Sequence, residues 1–161
     1  MITLRKMTGE EFLRFKEYSI AGYAEDLING QGLSREEALA EAEREFDGTL
    51  TEGPETEGQY VMTILDARSG EDVGNIWFLI EEEEGVRQAW LCDFLIYEEQ
   101  RRKGYGKAAL DEMERVAKAA GCAKSALYVW DHNPAGCSLY RKCGYAVFIH
   151  ENGGAVMKKE L

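Results

Sequence analysis

The chain has 161 residues, a formal net charge of −11, 45% apolar residues and 30% charged residues. This is the length and balance of one globular domain, and it excludes collagen-like, low-complexity and disordered classes. No apolar run approaches the ~18 residues of a membrane span, and the acidity argues against nucleic acid as a partner.

A short strand is expected over residues 2–7, followed by Thr8-Gly9-Glu10-Glu11, which has the spacing of a capping box. Phe12, Phe15, Ile20, Tyr23 and Leu27 then keep a helical spacing up to Asn29-Gly30. Ser34-Arg35-Glu36-Glu37 has the same cap spacing and predicts an acidic helix to about Phe46. Residues 47–58, with Pro54 and three glycines, read as an acidic loop that is either mobile or an ordered surface turn. Three strand-like runs follow, at 59–66, 73–80 and 86–97, with the hairpin spacing of an antiparallel meander. Residues 104–121 predict a helix, 126–130 a strand, and 134–143 a short helix. A final hairpin is expected over 145–150 and 155–159, around Asn152-Gly153-Gly154.

The charge is unevenly spread. Residues 1–100 carry 24 Asp and Glu against 8 Lys and Arg, whereas 101–161 carry 6 against 11. One half can meet a cation and the other an anion. The four cysteines, Cys92, Cys122, Cys137 and Cys143, form no Cys-x-x-Cys pair. Neither a disulfide scaffold nor a metal site is expected. With no apolar leader stretch in residues 1–6, the expected location is cytoplasmic.

The stretch that carries chemistry is 94–107. An apolar strand ends, a basic turn follows, and two glycines open a helix. A helix N-terminus leaves about four N–H groups unpaired and carries partial positive charge. Glycines let a ligand approach the backbone. Arg101, Arg102, Lys103 and Lys107 add full charge where acids are normally favoured, so the turn reads as a phosphate site. A Walker loop does not fit, because Arg101 stands at the first glycine position and Ala108 at the Ser/Thr position. Gly104-x-Gly106-x-x-Ala109 matches a relaxed dinucleotide fingerprint, but only about 55 residues remain after it and the expected downstream acid is absent.

Arg101-x-x-Gly104-x-Gly106 resembles the signature of the GNAT superfamily of N-acetyltransferases. The run from Leu127 through Asn133, the Leu139-Tyr140 pair and Gly144-Tyr145 is similar to the family's second conserved block. The resemblance implies a mixed α/β GNAT fold. Its central sheet is mostly antiparallel, with about seven strands splayed between the fourth and fifth, and about four helices flank it. It also implies that residues 1–161 form a single N-acetyltransferase domain. The co-substrate would be acetyl-CoA, with pyrophosphate on the backbone of Arg101, Arg102, Lys103, Gly104, Tyr105, Gly106 and Lys107. Pantetheine would lie against Leu95, Ile96 and Tyr97, with the Ile96 N–H polarising the thioester carbonyl. Tyr140 aligns with the family's acid for the leaving thiolate, and Asn133 with a residue near the cofactor arm.

The family has no fixed general base. Asp93, an acid inside an apolar strand, is one candidate, and the Glu81–Glu84 run is another. The expected reaction is direct attack of a primary amine, from a small molecule or a peptide, on acetyl-CoA. A non-catalytic acyl-CoA-binding module and, further off, a nucleotide-binding protein are the rival readings. The exposed strands and terminal hairpin leave a homodimer open.

Overall fold

The computed structural model describes residues 1–161. The elements in chain order are β1 (Ile2–Lys6), α1 (Gly9–Gln31), α2 (Arg35–Thr49), β2 (Gln59–Asp66), β3 (Asp72–Glu83), β4 (Val86–Ile96), α3 (Tyr105–Ala119), β5 (Lys124–Trp130), α4 (Pro134–Lys142), β6 (Ala146–Glu151) and β7 (Gly154–Glu160). The seven strands form one sheet in the order β1-β2-β3-β4-β5-β7-β6, antiparallel throughout except for β4 beside β5.

Local chemistry sets the helix boundaries. Thr8 accepts from the Glu11 N–H while Glu11 accepts from the Thr8 N–H, so the capping box is complete. At Ser34 only the forward bond, from the Glu37 N–H at 3.2 Å, is made. The helix α2 runs three residues past the expected end at Phe46, because Leu50 is buried and its N–H still reaches the Phe46 carbonyl at 2.9 Å. The rest of the acidic loop is ordered. A 3₁₀ turn spans Gly53–Glu55, and Thr56 Oγ1 donates to the Gly53 carbonyl at 2.7 Å while accepting from the Glu52 N–H at 3.0 Å.

Two apolar layers clamp the sheet. Ile64, Ile76, Phe78, Leu91, Leu127 and Met157 pack with Leu110 and Met113 of α3 and Tyr140 of α4. On the opposite face, Val61 and Trp77 pack with Phe15, Phe46 and Leu50 of the first two helices and the loop behind them. The edge strand β6 is exposed along its whole length, including Val147, Phe148 and Ile149.

One irregularity positions the site. Trp77 pairs with Asp93 and Phe78 with Leu91, so Cys92 is an extra residue in β4. Such a bulge bends a strand. The strands β4 and β5 pair only over Gln88–Leu91 with Lys124–Leu127. Beyond that, β4 continues to Ile96 on β3 alone, and β5 continues to Trp130 on β7 alone. The sheet is therefore split between its fourth and fifth strands. No helix is long and apolar enough to cross a membrane.

Candidate active site

The split opens into a cleft of about 1350 Å³ that reaches from the start of α3 to the faces of α1 and α2. At its basic end, Gly104 caps α3 in the left-handed region, with φ of 86°, and makes no side-chain cap. Arg102 is also left-handed, at 62°. These two reversals turn the chain so that the N–H groups of Arg102, Lys103, Gly104, Tyr105, Gly106 and Lys107 all lack an acceptor within the chain; the first helical bond is Ala108 N–H to the Gly104 carbonyl. A run of free N–H groups at a helix start is an anion site.

The side chains of this loop are mostly occupied elsewhere. Arg101 Nε donates to the Ile96 carbonyl at 2.9 Å, Lys103 Nζ to Gln100 Oε1 at 3.0 Å, and Lys107 pairs with Asp111 at 2.7 Å. Tyr105 turns its hydroxyl to Asp66 at 2.6 Å and pins the helix start to the β2–β3 turn. Lys103 lies outside the cleft lining, and Arg102 is the cation left without a partner in the loop. Of the four loop cations, Lys107 alone meets an opposite charge; Arg101 and Lys103 keep theirs while tethered to neutral oxygens, and Arg102 is untethered beside the backbone site.

Strand register decides which amides face the gap. The Tyr97 N–H donates to the Val73 carbonyl at 3.0 Å. Antiparallel neighbours alternate, so the Leu95 amide also faces β3, while those of Phe94 and Ile96 face the split. The Phe94 N–H lies against the carboxylate of Asp93. Of Leu95, Ile96 and Tyr97, only Ile96 turns its N–H into the gap. Leu95 lines the cleft, and Tyr97 lies outside it with its hydroxyl on Asp72 at 3.3 Å.

Tyr140 is 9% exposed and lines the cleft, and its hydroxyl makes no hydrogen bond within the chain. Its ring packs edge-on against Tyr145 at 6.0 Å, and the Tyr145 hydroxyl is held by Ser125 at 2.7 Å. Burial, and then the nearby Asp93, push the Tyr140 hydroxyl above its usual range. Asn133 lines the same cleft and caps α4, accepting from the Gly136 N–H at 3.0 Å, with Pro134 at the first helical position.

Asp93 is half-buried in the cleft wall, and its Oδ2 accepts from Ser19 Oγ at 2.7 Å. Burial raises its pKa, and the Ser19 hydrogen bond offsets part of that rise. Ser19 is a polar residue at i+4 from Phe15 and four before Tyr23, on the stripe of α1 that otherwise packs inward. An acid in an apolar strand and a serine in an apolar helix stripe are each out of place alone. Together they form one hydrogen bond, a pairing that neither local pattern reveals.

The Glu81–Glu84 run does not reach the cleft. Glu81 and Glu83 accept from Gln88 Nε2 at 3.1 and 3.0 Å on the β3–β4 hairpin, whose turn is Glu84-Gly85. Cys92 does line the cleft, but burial pushes its thiol well above the usual range, which disfavours the nucleophilic thiolate.

This arrangement has known counterparts. Residues 20–145 match the acetyltransferase (GNAT) family. The chain is 31% identical over 160 residues to the uncharacterized N-acetyltransferase YycN of Bacillus subtilis, covering 99% of each protein, and 30% identical over 145 residues to YdgE of the same organism, covering 90% of this chain and 92% of that one. The crystal structure of YycN superposes with a TM-score of 0.86 over 94% of this chain and 96% of its own. The PaiA N-acetyltransferase of Thermoplasma acidophilum, solved with coenzyme A, shares the fold with a TM-score of 0.72 at 22% identity, over 100% of this chain and 99% of its own. Family match, full-length relatives and the split sheet agree, and the chain belongs to the acetyltransferase (GNAT) family.

Proposed function

We propose that residues 1–161 act as a single acetyl-CoA-dependent N-acetyltransferase domain that moves an acetyl group to a primary amine by direct attack in a ternary complex. The observation that carries this reading is the row of six unpaired N–H groups at the mouth of the split between β4 and β5, with the unpartnered hydroxyl of Tyr140 in the same cleft. Acetyl-CoA supplies a pyrophosphate that such a row fits, and an acetyl group activated as a thioester. The neighbour solved as a spermidine N-acetyltransferase from Vibrio cholerae, with CoA and spermine, and the NatC complex with CoA and a Gag peptide keep both small-molecule and peptide amines open as acceptors.

In this reading the Ile96 N–H donates to the thioester carbonyl oxygen as charge builds there. Asp93, directly or through water, takes a proton from the incoming ammonium, and its raised pKa suits a base better than an ordinary carboxylate. The amine nitrogen bonds to the carbonyl carbon, the carbon–sulfur bond breaks, the thiolate takes the Tyr140 proton, and the tyrosinate recovers the second proton that the nitrogen must shed to become a neutral amide. Three proton transfers thus occur within one cleft and the net charge of the site is conserved. No cysteine is needed.

Calorimetric titration with acetyl-CoA and CoA, with ATP and NAD as controls, tests the site. Selective binding of the CoA species is expected, followed by thiol release in the presence of an amine library. Binding of ATP or NAD in preference to CoA would overturn the reading.

A further inference from the structure

The charges lining the cleft come from different elements. Its Lys and Arg residues are Arg101, Arg102, Lys107 and Lys142, all from the α3 loop, α3 or α4. Its acids are Asp26, Glu45, Asp93 and Glu151, on α1, α2, β4 and β6. Glu45 and Asp93 have no Lys or Arg partner, and Asp26 is met only by His132, at 2.8 Å. In the half of the cleft that α1 and α2 wall, Asp26 stands one turn from Tyr23 on α1, and Tyr23 packs on Ala38 and Ala42 of α2, the helix that carries Glu45.

The walls of this half are rings. Tyr23, Trp90, Tyr128 and Trp130 line it. Trp130 is fixed between Tyr128, edge-on at 5.0 Å, and His132, stacked at 5.5 Å, and its indole occupies the space that any side chain at Gly30 would need. Carboxylates interleaved with ring faces select a desolvated organic cation over a neutral group of the same shape. The nitrogen that reacts must lose its charge beside Asp93. The charge that Asp26 and Glu45 complement therefore sits elsewhere on the same molecule.

We infer that the acceptor is an aliphatic amine with a second cationic nitrogen, the reacting nitrogen lying at Asp93 and the second between Asp26 and Glu45, against the rings of Tyr23 and Tyr128. The inference rests on the proposed transfer to an amine and narrows its substrate class.

The test is a calorimetric comparison of diaminobutane with butylamine on the protein saturated with CoA, repeated on Glu45→Gln. If CoA does not bind, the same comparison is made on the free protein. The second nitrogen should lower Kd by about tenfold, the worth of one half-exposed charge contact plus one ring contact. Glu45→Gln should remove most of that preference. Glu45 is exposed on α2 and forms no ion pair, and the helix packs through Ala38, Ala42 and Phe46, so the variant keeps its fold. Equal Kd for the two amines, no binding of either, or an unchanged preference in Glu45→Gln would overturn the inference. Selective diamine binding without thiol release would leave it standing and sink the proposed transfer instead.

Discussion

In the proposed reaction two titratable side chains carry the chemistry at the scale of single residues, and their surroundings separate their roles. The Tyr140 side chain is mostly buried and its hydroxyl is unpartnered and held protonated, whereas Asp93 keeps a serine donor in the cleft wall. Tyr140→Phe removes one hydroxyl that makes no internal hydrogen bond. It should lower kcat by about tenfold to a hundredfold, the low end for a general acid because a thiolate leaves tolerably unaided. Calorimetry should show CoA affinity unchanged, and an unchanged kcat would remove Tyr140 from the mechanism. The folded-state pKa of Asp93 lies above the unfolded value, so folding favours the protonated form, and stability falls as pH rises through the folded pKa. Asp93→Asn removes that ionisation and should raise Tm at neutral pH. The gain should close as pH falls below the ordinary carboxylate range, and acetyl transfer should be depressed throughout. Paired thermal melts and rate profiles across pH read both effects. A variant that loses Tm at neutral pH would show that the carboxylate is structural instead. Lys103→Gln should shift CoA affinity by no more than about twofold, since the ammonium is engaged by Gln100 outside the cleft and the proposed binding is to backbone N–H groups.

At the scale of the element, the site is a strand end, a turn and a helix start. The sequence exposes most of this: the strand is apolar, the turn is basic, and Gly104 and Gly106 stand where the helix opens. The glycines do different work. Gly104 supplies a left-handed φ, while Gly106 leaves room for Leu139, whose Cδ2 would lie 3.3 Å from an added Cβ. Gly104→Ala should therefore cost about 1–2 kcal/mol of stability and weaken CoA binding together, because the same dihedral aims the N–H row. Gly106→Ala asks only a flexible side chain to shift and should keep more of both. Thermal melts and CoA titrations of the pair separate the cases. A Gly104→Ala protein with native affinity would show that the row is not what binds. Less legible was the state of the loop cations. Their residue types are visible, but whether each is free depends on Ile96, Gln100 and Asp111, which only the folded turn brings within reach.

For the whole molecule, the split leaves the β1–β4 and β5–β7 halves of the sheet joined through four paired residues on each of β4 and β5. A ligand spanning α3, β4 and α4 braces both halves. At a hundredfold excess over Kd it should add about 2.7 kcal/mol of stability, read as a Tm rise of several degrees. Hydrogen exchange should show the Ile96 amide slow only when acetyl-CoA is present, because its N–H faces the gap with no acceptor in the chain. Equal exchange with and without ligand would remove Ile96 from the binding path. Periodicity, caps and turns placed every element to within a few residues, because these depend on contacts a few positions apart. The two glycine-bearing blocks, read through their resemblance to the family, pointed to the fold and the anion site. The acceptor half was beyond reach. Ser19, Asp26 and Glu45 lie on helices that read as ordinary amphipathic surfaces, and the Glu81–Glu84 run, conspicuous in the sequence, lies on a hairpin away from the cleft. A residue type and its spacing fix local conformation and the kind of chemistry available. Which loop cations are engaged is set by partners three to five residues away, once the turn has its shape. Which charges converge, as Ser19 and Asp93 do from 74 residues apart, is decided by contacts across tens of residues, and the tertiary structure alone sets those.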